Sequence, residues 1–214
     1  MREFIDEYHQ IEDEYTKIMD KYTEKNANSI VPKLKKLITI DSDFFDTYYS
    51  LEDLLRTSGK KDEANDLVNL ASKNALKKIV DEKGNWPDRL EWVFIENRHI
   101  IRALLNQALL HWKEGNTEPT LVLLRNLLRS DPDDHIGARY YILAIRKNMK
   151  FTDFELCFNK NGFYDNEIDE WFNKNLVFFP DEFEWWEKET EEVNTQDGEI
   201  DENDFYGESG IRFI

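Results

Sequence analysis

Phe4, Tyr8, Ile11, Tyr15, Ile18 and Tyr22 recur at alternating steps of four and three, with acidic and basic residues between them. That spacing predicts one face of a helix. It is also a heptad stripe, so the helix packs either on its own domain or along a second copy. A second helix is predicted over Ser29–Ile40, with Ile30, Leu34, Leu37 and Ile38 on one face. Pro32 is expected in its first turn, where a missing N–H costs nothing. Asp41-Ser42-Asp43 supplies stop and cap residues. From Asp43 to Lys78 two helices meet at Ser58-Gly59-Lys60-Lys61, one lined by Tyr48, Leu51, Leu54 and Leu55, the other by Ala64, Leu67, Val68, Leu70 and Ala71. Gly59 suits the left-handed conformation that ends a helix.

Asp81 to Asp88 has the composition of a loop, and Arg89–Ile95 is expected to add a short helix. Asn97–Glu114 carries Ile101, Leu104, Leu105, Ala108, Leu109 and Trp112 at helical spacing. Gly115-Asn116 turns the chain, and Thr117–Arg129 follows with Leu121, Leu124, Leu127 and Leu128. Asp131-Pro132-Asp133-Asp134 ends that helix and caps the next, His135–Lys147. Residues 148–186 are dense in rings, from Phe151 to Trp186. They are expected to bury those rings as an end cap rather than to line a ligand cage.

Composition narrows the class. The chain has 214 residues, 28 Lys plus Arg against 45 Asp plus Glu, and a net charge of −17. It is long enough for a sizeable core, and too poor in Gly and Pro for a collagenous or mostly disordered chain. Net acidity disfavours direct binding of nucleic acid. A single cysteine, Cys157, excludes an internal disulfide and a Cys-based zinc site, and its place between Leu156 and Phe158 predicts a buried, inert thiol. Met1 to Gln10 is charged and no stretch has the length of a membrane span, so the expectation is a cytoplasmic protein, monomer or homodimer, with no membrane partner. Residues 181–214 carry a net charge of −11 and leave −6 for residues 1–180. Thr190 to Asp204 is therefore expected to be disordered within an acidic tail, 187–214, whose apolar end, Phe205-Tyr206 and Ile211 to Ile214, either frays or docks back.

Segments 45–78 and 101–134 can be laid over each other: Tyr48, Leu51, Leu55, Gly59, Ala64, Val68 and Ala71 fall on Leu104, Gln107, His111, Gly115, Thr120, Leu124 and Leu127. Each is helix, glycine turn, helix, and Pro132 follows the second. This layout resembles the tetratricopeptide repeat family, with its unit of about 34 residues. A degenerate earlier unit, 11–44, fits through Ile18, Ile30, Leu34 and Leu37. Gln107, His111 and Thr120 depart from the family pattern, and the insertion from Asp81 to Asn97 interrupts tandem stacking. The resemblance implies an all-α fold, a superhelix of helical hairpins in a single domain over 1–186, with 148–186 as its aromatic cap.

In that family the concave face binds peptides. Helix geometry places Asp46, Tyr49, Ser50, Asp53, Arg102, Asn106, Leu109, Lys113, Arg139, Tyr140, Arg146 and Lys147 on it. The expected function is a protein-interaction module or scaffold, with a locally basic groove for an acidic peptide or a free C-terminal carboxylate. Two competing expectations stand beside it: Arg102 and Arg139 pair internally with Glu96 or Asp134, or the acidic tail is a decoy or chaperone-like binder of a basic protein. The family's chaperone-binding carboxylate clamp is not reproduced, because Ile136 and Tyr140 stand where it needs cations. No phosphate loop, nucleophile elbow or H-E-x-x-H is present, so no enzyme and no cofactor is expected. His9, His99, His111 and His135 are scattered, and a metal site built on them would need a tertiary coincidence.

Overall fold

The computed structural model describes residues 1–160, 164 and 166–196, and these are helical with no strand among them. They divide into two compact units, Met1–Glu114 and one beginning at Gly115.

In the first unit, α1 (Glu12–Met19), α2 (Ala27–Ile40), α3 (Asp46–Thr57), α4 (Lys61–Ile79) and α5 (Arg98–Lys113) follow one another, and α2 packs on α3, α3 on α4 and α4 on α5. The heptad stripe is used inside the chain: Tyr15, Ile18 and Tyr22 lie against Ile30, Leu34, Leu51 and Leu55. α2 starts earlier than expected, so Pro32 falls in its interior and the carbonyl of Asn28 has no helical N–H to accept. Gly59 turns α3 into α4 at φ +82°, and the small Ala64 and Ala71 are buried between packed helices. Gln107 and His111, the polar departures from the repeat, pair with each other at 3.0 Å on α5.

The first ten residues are a correction. The stripe predicts helix from Phe4, but helix begins at Glu12 and residues 1–10 form an extended arm. The arm finds better partners in the Asp81–Asn97 insertion. The Phe4 N–H donates to Arg89 O at 2.9 Å, and the Asp88 N–H donates to Arg2 O at 2.8 Å. The Arg2 guanidinium reaches Ile79 O at 2.8 Å and closes the C-terminus of α4. Arg89–Ile95 makes no α-helix; the only helical turn there is a 3-10 turn at Ile95–Asn97.

The second unit contains α6 (Thr117–Ser130), α7 (Ala138–Arg146), α8 (Phe151–Phe158), α9 (Glu167–Asn175) and α10 (Pro180–Gln196). Four rings of the segment, Phe154, Phe158, Phe172 and Phe183, are buried, with Phe154 meeting Tyr141 of α7 at 5.3 Å and Phe172 meeting Tyr140 at 5.5 Å, whereas Phe178 stays exposed. Cys157 is exposed rather than buried, because Phe154 and Phe158 take the inner face of α8. Thr190–Gln196, expected to be disordered, continues α10; the rest of the acidic tail, with its apolar end, lies outside the described residues. No helix among the described residues is long and apolar enough to cross a membrane.

A Cβ on Gly59 would touch nothing within 4 Å, so only backbone strain opposes it. Gly59→Ala is expected to cost about 1–2 kcal/mol, the penalty of a left-handed L-residue, read as a lower urea midpoint with unchanged slope.

Candidate functional site

Two clusters of buried charge stand out, one in each unit. In the first, Asp6 leaves the extended arm and enters the core, where water cannot solvate it. Its Oδ2 faces His99 Nε2 at 2.9 Å and His9 Nε2 at 3.2 Å, and its Oδ1 accepts from Lys78 Nζ at 2.9 Å. His9 Nδ1 faces Asp41 Oδ2 at 2.6 Å. Burial alone would raise the Asp6 pKa, but the bonds from His9, His99 and Lys78 outweigh it and hold the carboxyl well below its usual range. Burial alone would lower the His9 pKa; the carboxylates of Asp6 and Asp41 outweigh it and raise it.

Asp6, His9 and His99 place one ligand atom each within 4.8 Å of one another, the coincidence that a metal site needs. The donor chemistry does not fit a metal. Phe45 N–H donates to His99 Nδ1 at 3.0 Å, so the ring proton sits on Nε2 and points at Asp6. A metal on Nε2 would push that proton to Nδ1, against the Phe45 N–H. The Lys78 ammonium on the other Asp6 oxygen repels a cation as well. The arrangement is a proton-sharing ion network that ties the arm to α4, α5 and the Asp41–Phe45 segment. Asn97 completes it, with the Asp6 N–H donating to its Oδ1 at 3.0 Å and its Nδ2 donating to Phe4 O at 2.9 Å.

The second cluster is an arginine face. Pro180 opens α10 with its preset φ, and Asp181 and Glu182 fall in the first turn, where the helix dipole favours acids. Glu182 is 7 % exposed. Arg125 of α6 grips both its oxygens, at 2.8 and 2.6 Å, and Arg146 of α7 adds 2.6 Å to Glu182 and 2.8 Å to Asp181. Burial alone would raise the Glu182 pKa; the two guanidinium groups outweigh it and lower it. One turn on, the Arg129 guanidinium stands 6.0 Å from the Trp185 ring and that of Arg139 5.4 Å from the Trp186 ring. Trp186 Nε1–H donates to Pro132 O at 2.7 Å, and the fully buried Phe183 meets Phe172 edge-on at 5.2 Å. All four arginines of α6 and α7 thus contact α10.

The residues expected to line a basic groove fall in both units and have different surroundings. Arg139 pairs with Asp134 at 2.9 Å, as the competing expectation has it, and Arg146 belongs to the Glu182 clamp. Arg102 pairs with Asp46, not Glu96, through bonds of 3.0, 2.7 and 2.6 Å. Each of these three guanidinium groups thus meets a carboxylate of its own unit. Leu109 and Tyr140 are buried, and the Tyr140 hydroxyl donates to Asp169. Lys147 Nζ donates to Asn175 Oδ1, while Lys113 is exposed at the end of α5. Tyr49 and Asn106 share a seam between α3, α4 and α5 with room of about 10 Å³, enough for roughly one water. Burial, with Asp53 and Glu52 nearby, pushes the Tyr49 hydroxyl up to about 12.

Arg125 and Glu182 are joined by two bonds, yet sequence reasoning passed over both. Arg125 and Arg129 stand four apart on α6, and Asp181-Glu182 follows Pro180 as a helix-start pattern; together these were the available signals. No family model matches the chain, and neither a curated protein nor a solved structure matches it.

Asp6→Asn is expected to leave His9 and Lys78 without their buried counter-charge and to cost about 3–5 kcal/mol, measured by urea unfolding. The pH profile follows from the two shifts. Stabilisation from the lowered Asp6 and Asp41 is present above about pH 4 and is lost on acidification. Stabilisation from the raised His9 is complete below about pH 6.5 and is lost as pH rises through its folded value. The Tm is expected to fall on the alkaline side as His9 loses its proton, and His9→Gln should flatten that limb.

Proposed function

We propose that this chain is a protein-interaction module of tetratricopeptide-like helical hairpins that binds a carboxylate-bearing segment through the arginines of α6 and α7. The observation that carries the reading is the engagement of Arg125, Arg129, Arg139 and Arg146 by one acidic, aromatic helix. Planar guanidinium groups bind carboxylates in pairs and stack on rings, so the face is built for that chemistry. The hairpin of α3 and α4 supports the repeat reading, with its left-handed Gly59 and its buried Tyr48, Leu51, Leu55, Ala64 and Ala71. The reading keeps Arg139 and Arg146 from the expected groove and adds Arg125 and Arg129 of α6, all four of which meet α10. The decoy alternative rests mainly on residues 197–214, outside the described residues.

Selection of displayed random peptides on the full chain tests this. Enrichment of Asp- and Glu-rich sequences is expected, falling at least tenfold on a variant carrying Arg125→Gln and Arg146→Gln. Glu182→Gln is added to that variant so that no buried carboxylate is orphaned. Equal enrichment on both proteins, or no acidic preference, overturns the reading.

A further inference from the structure

α10 is a helix whose recognition features repeat by turn. Asp181 and Glu182 sit in its first turn, Trp185 and Trp186 one turn later, and each of the four touches a different arginine or pair of arginines on α6 and α7. Phe183, between them, fills a slot against Phe172. α10 meets α6 and α7 through side chains: two carboxylates on Arg125 and Arg146, and two indoles beside Arg129 and Arg139. The turn that leads into it buries Leu176 and leaves Val177 and Phe178 exposed at 65 % and 71 %. The arginines of the clamp keep about a third to a quarter of their surface, 31 % for Arg125 and 26 % for Arg146.

Resting on the reading of the arginine face given above, we propose that α10 is a resident pseudo-ligand. The partner is an amphipathic helix that opens with two adjacent carboxylates and carries aromatic rings one turn later, and it binds by displacing α10. A competing helix of that pattern remakes every contact that α10 gives up, so the exchange is nearly balanced in contacts. What favours α10 is its tether. A short linker holds it at an effective concentration on the order of millimolar, and the apparent affinity of an incoming helix falls by the fraction of chains whose face is open. Weakening α10 without touching the face must therefore tighten binding in trans.

The probe is a labelled synthetic peptide of residues 179–191, FPDEFEWWEKETE, titrated into the full-length protein. Binding at least tenfold tighter is expected for the variant Glu182→Gln with Trp186→Ala than for wild type. Neither substitution removes an arginine, and a scrambled peptide of the same composition should bind neither protein. Equal affinity for the two proteins, no binding to either, or equal binding of the scrambled peptide makes α10 a permanent cap and overturns the proposal. Beside a fixed α10 the exposed parts of Arg125 and Arg146 still face solvent, so the selection of acidic peptides on the full chain is read independently of that outcome. Hydrogen exchange on the unaltered chain gives a test independent of any variant. Amides of 183–191 are expected to exchange at least 100-fold faster than those of 141–145, through opening of α10. Equal protection overturns the proposal.

Discussion

Burying a carboxylate costs several kcal/mol unless cations and N–H donors replace the water it loses, and in each unit such a group ties a segment to neighbouring helices. Asp6 enters the first unit only because His9, His99 and Lys78 converge on it. Glu182 enters the second only because Arg125 and Arg146 close on it from two helices. In both cases a segment outside the hairpins, the arm at one end and α10 at the other, is held by charges that it must find on helices already formed. Charge compensation thus decides where the N-terminal arm and the first turn of α10 lie, while apolar burial decides how the helices pack.

The two sites differ in what they leave open. Both carboxylate oxygens of Asp6 are engaged, and its histidines are oriented by Phe45 N–H and Asp41. Such a network is a staple, with no coordination position and no face toward a ligand. The Glu182 clamp is partly open to solvent on the arginine side. Asp6 and Glu182 are each 7 % exposed, so the two sites differ on the side of the cations: His9, His99 and Lys78 are almost enclosed, whereas Arg125 and Arg146 keep part of their surface in water.

Much of the helical framework was legible in the order of residues. The period of Tyr48, Leu51, Leu55 and of Leu121, Leu124, Leu128 located α3 and α6 to within a few residues, and Gly59 marked its turn. These are local signals, set by side-chain spacing and by the freedom of glycine at positive φ. The first ten residues misled for the opposite reason. Phe4 and Tyr8 satisfy the helical period, but Asp6 and the backbone of residues 2–4 gain more from Asn97, Arg89 and Asp88, which lie far along the chain. Periodicity carries no record of such partners.

The same division holds for the site. The sequence by itself determined the all-helical class, the concentration of acid in the last 34 residues, the arginines of α6 and α7 and the ring-rich segment that follows them. Those properties depend on composition and on neighbours within a turn or two. Only the tertiary structure decided which acid meets which base. It gave Arg102 to Asp46 and Arg146 to Glu182, and it assembled scattered His9 and His99 around Asp6. A charge attracts any opposite charge equally well, so its partner is chosen by which helices the apolar faces bring together, and that choice is made in three dimensions.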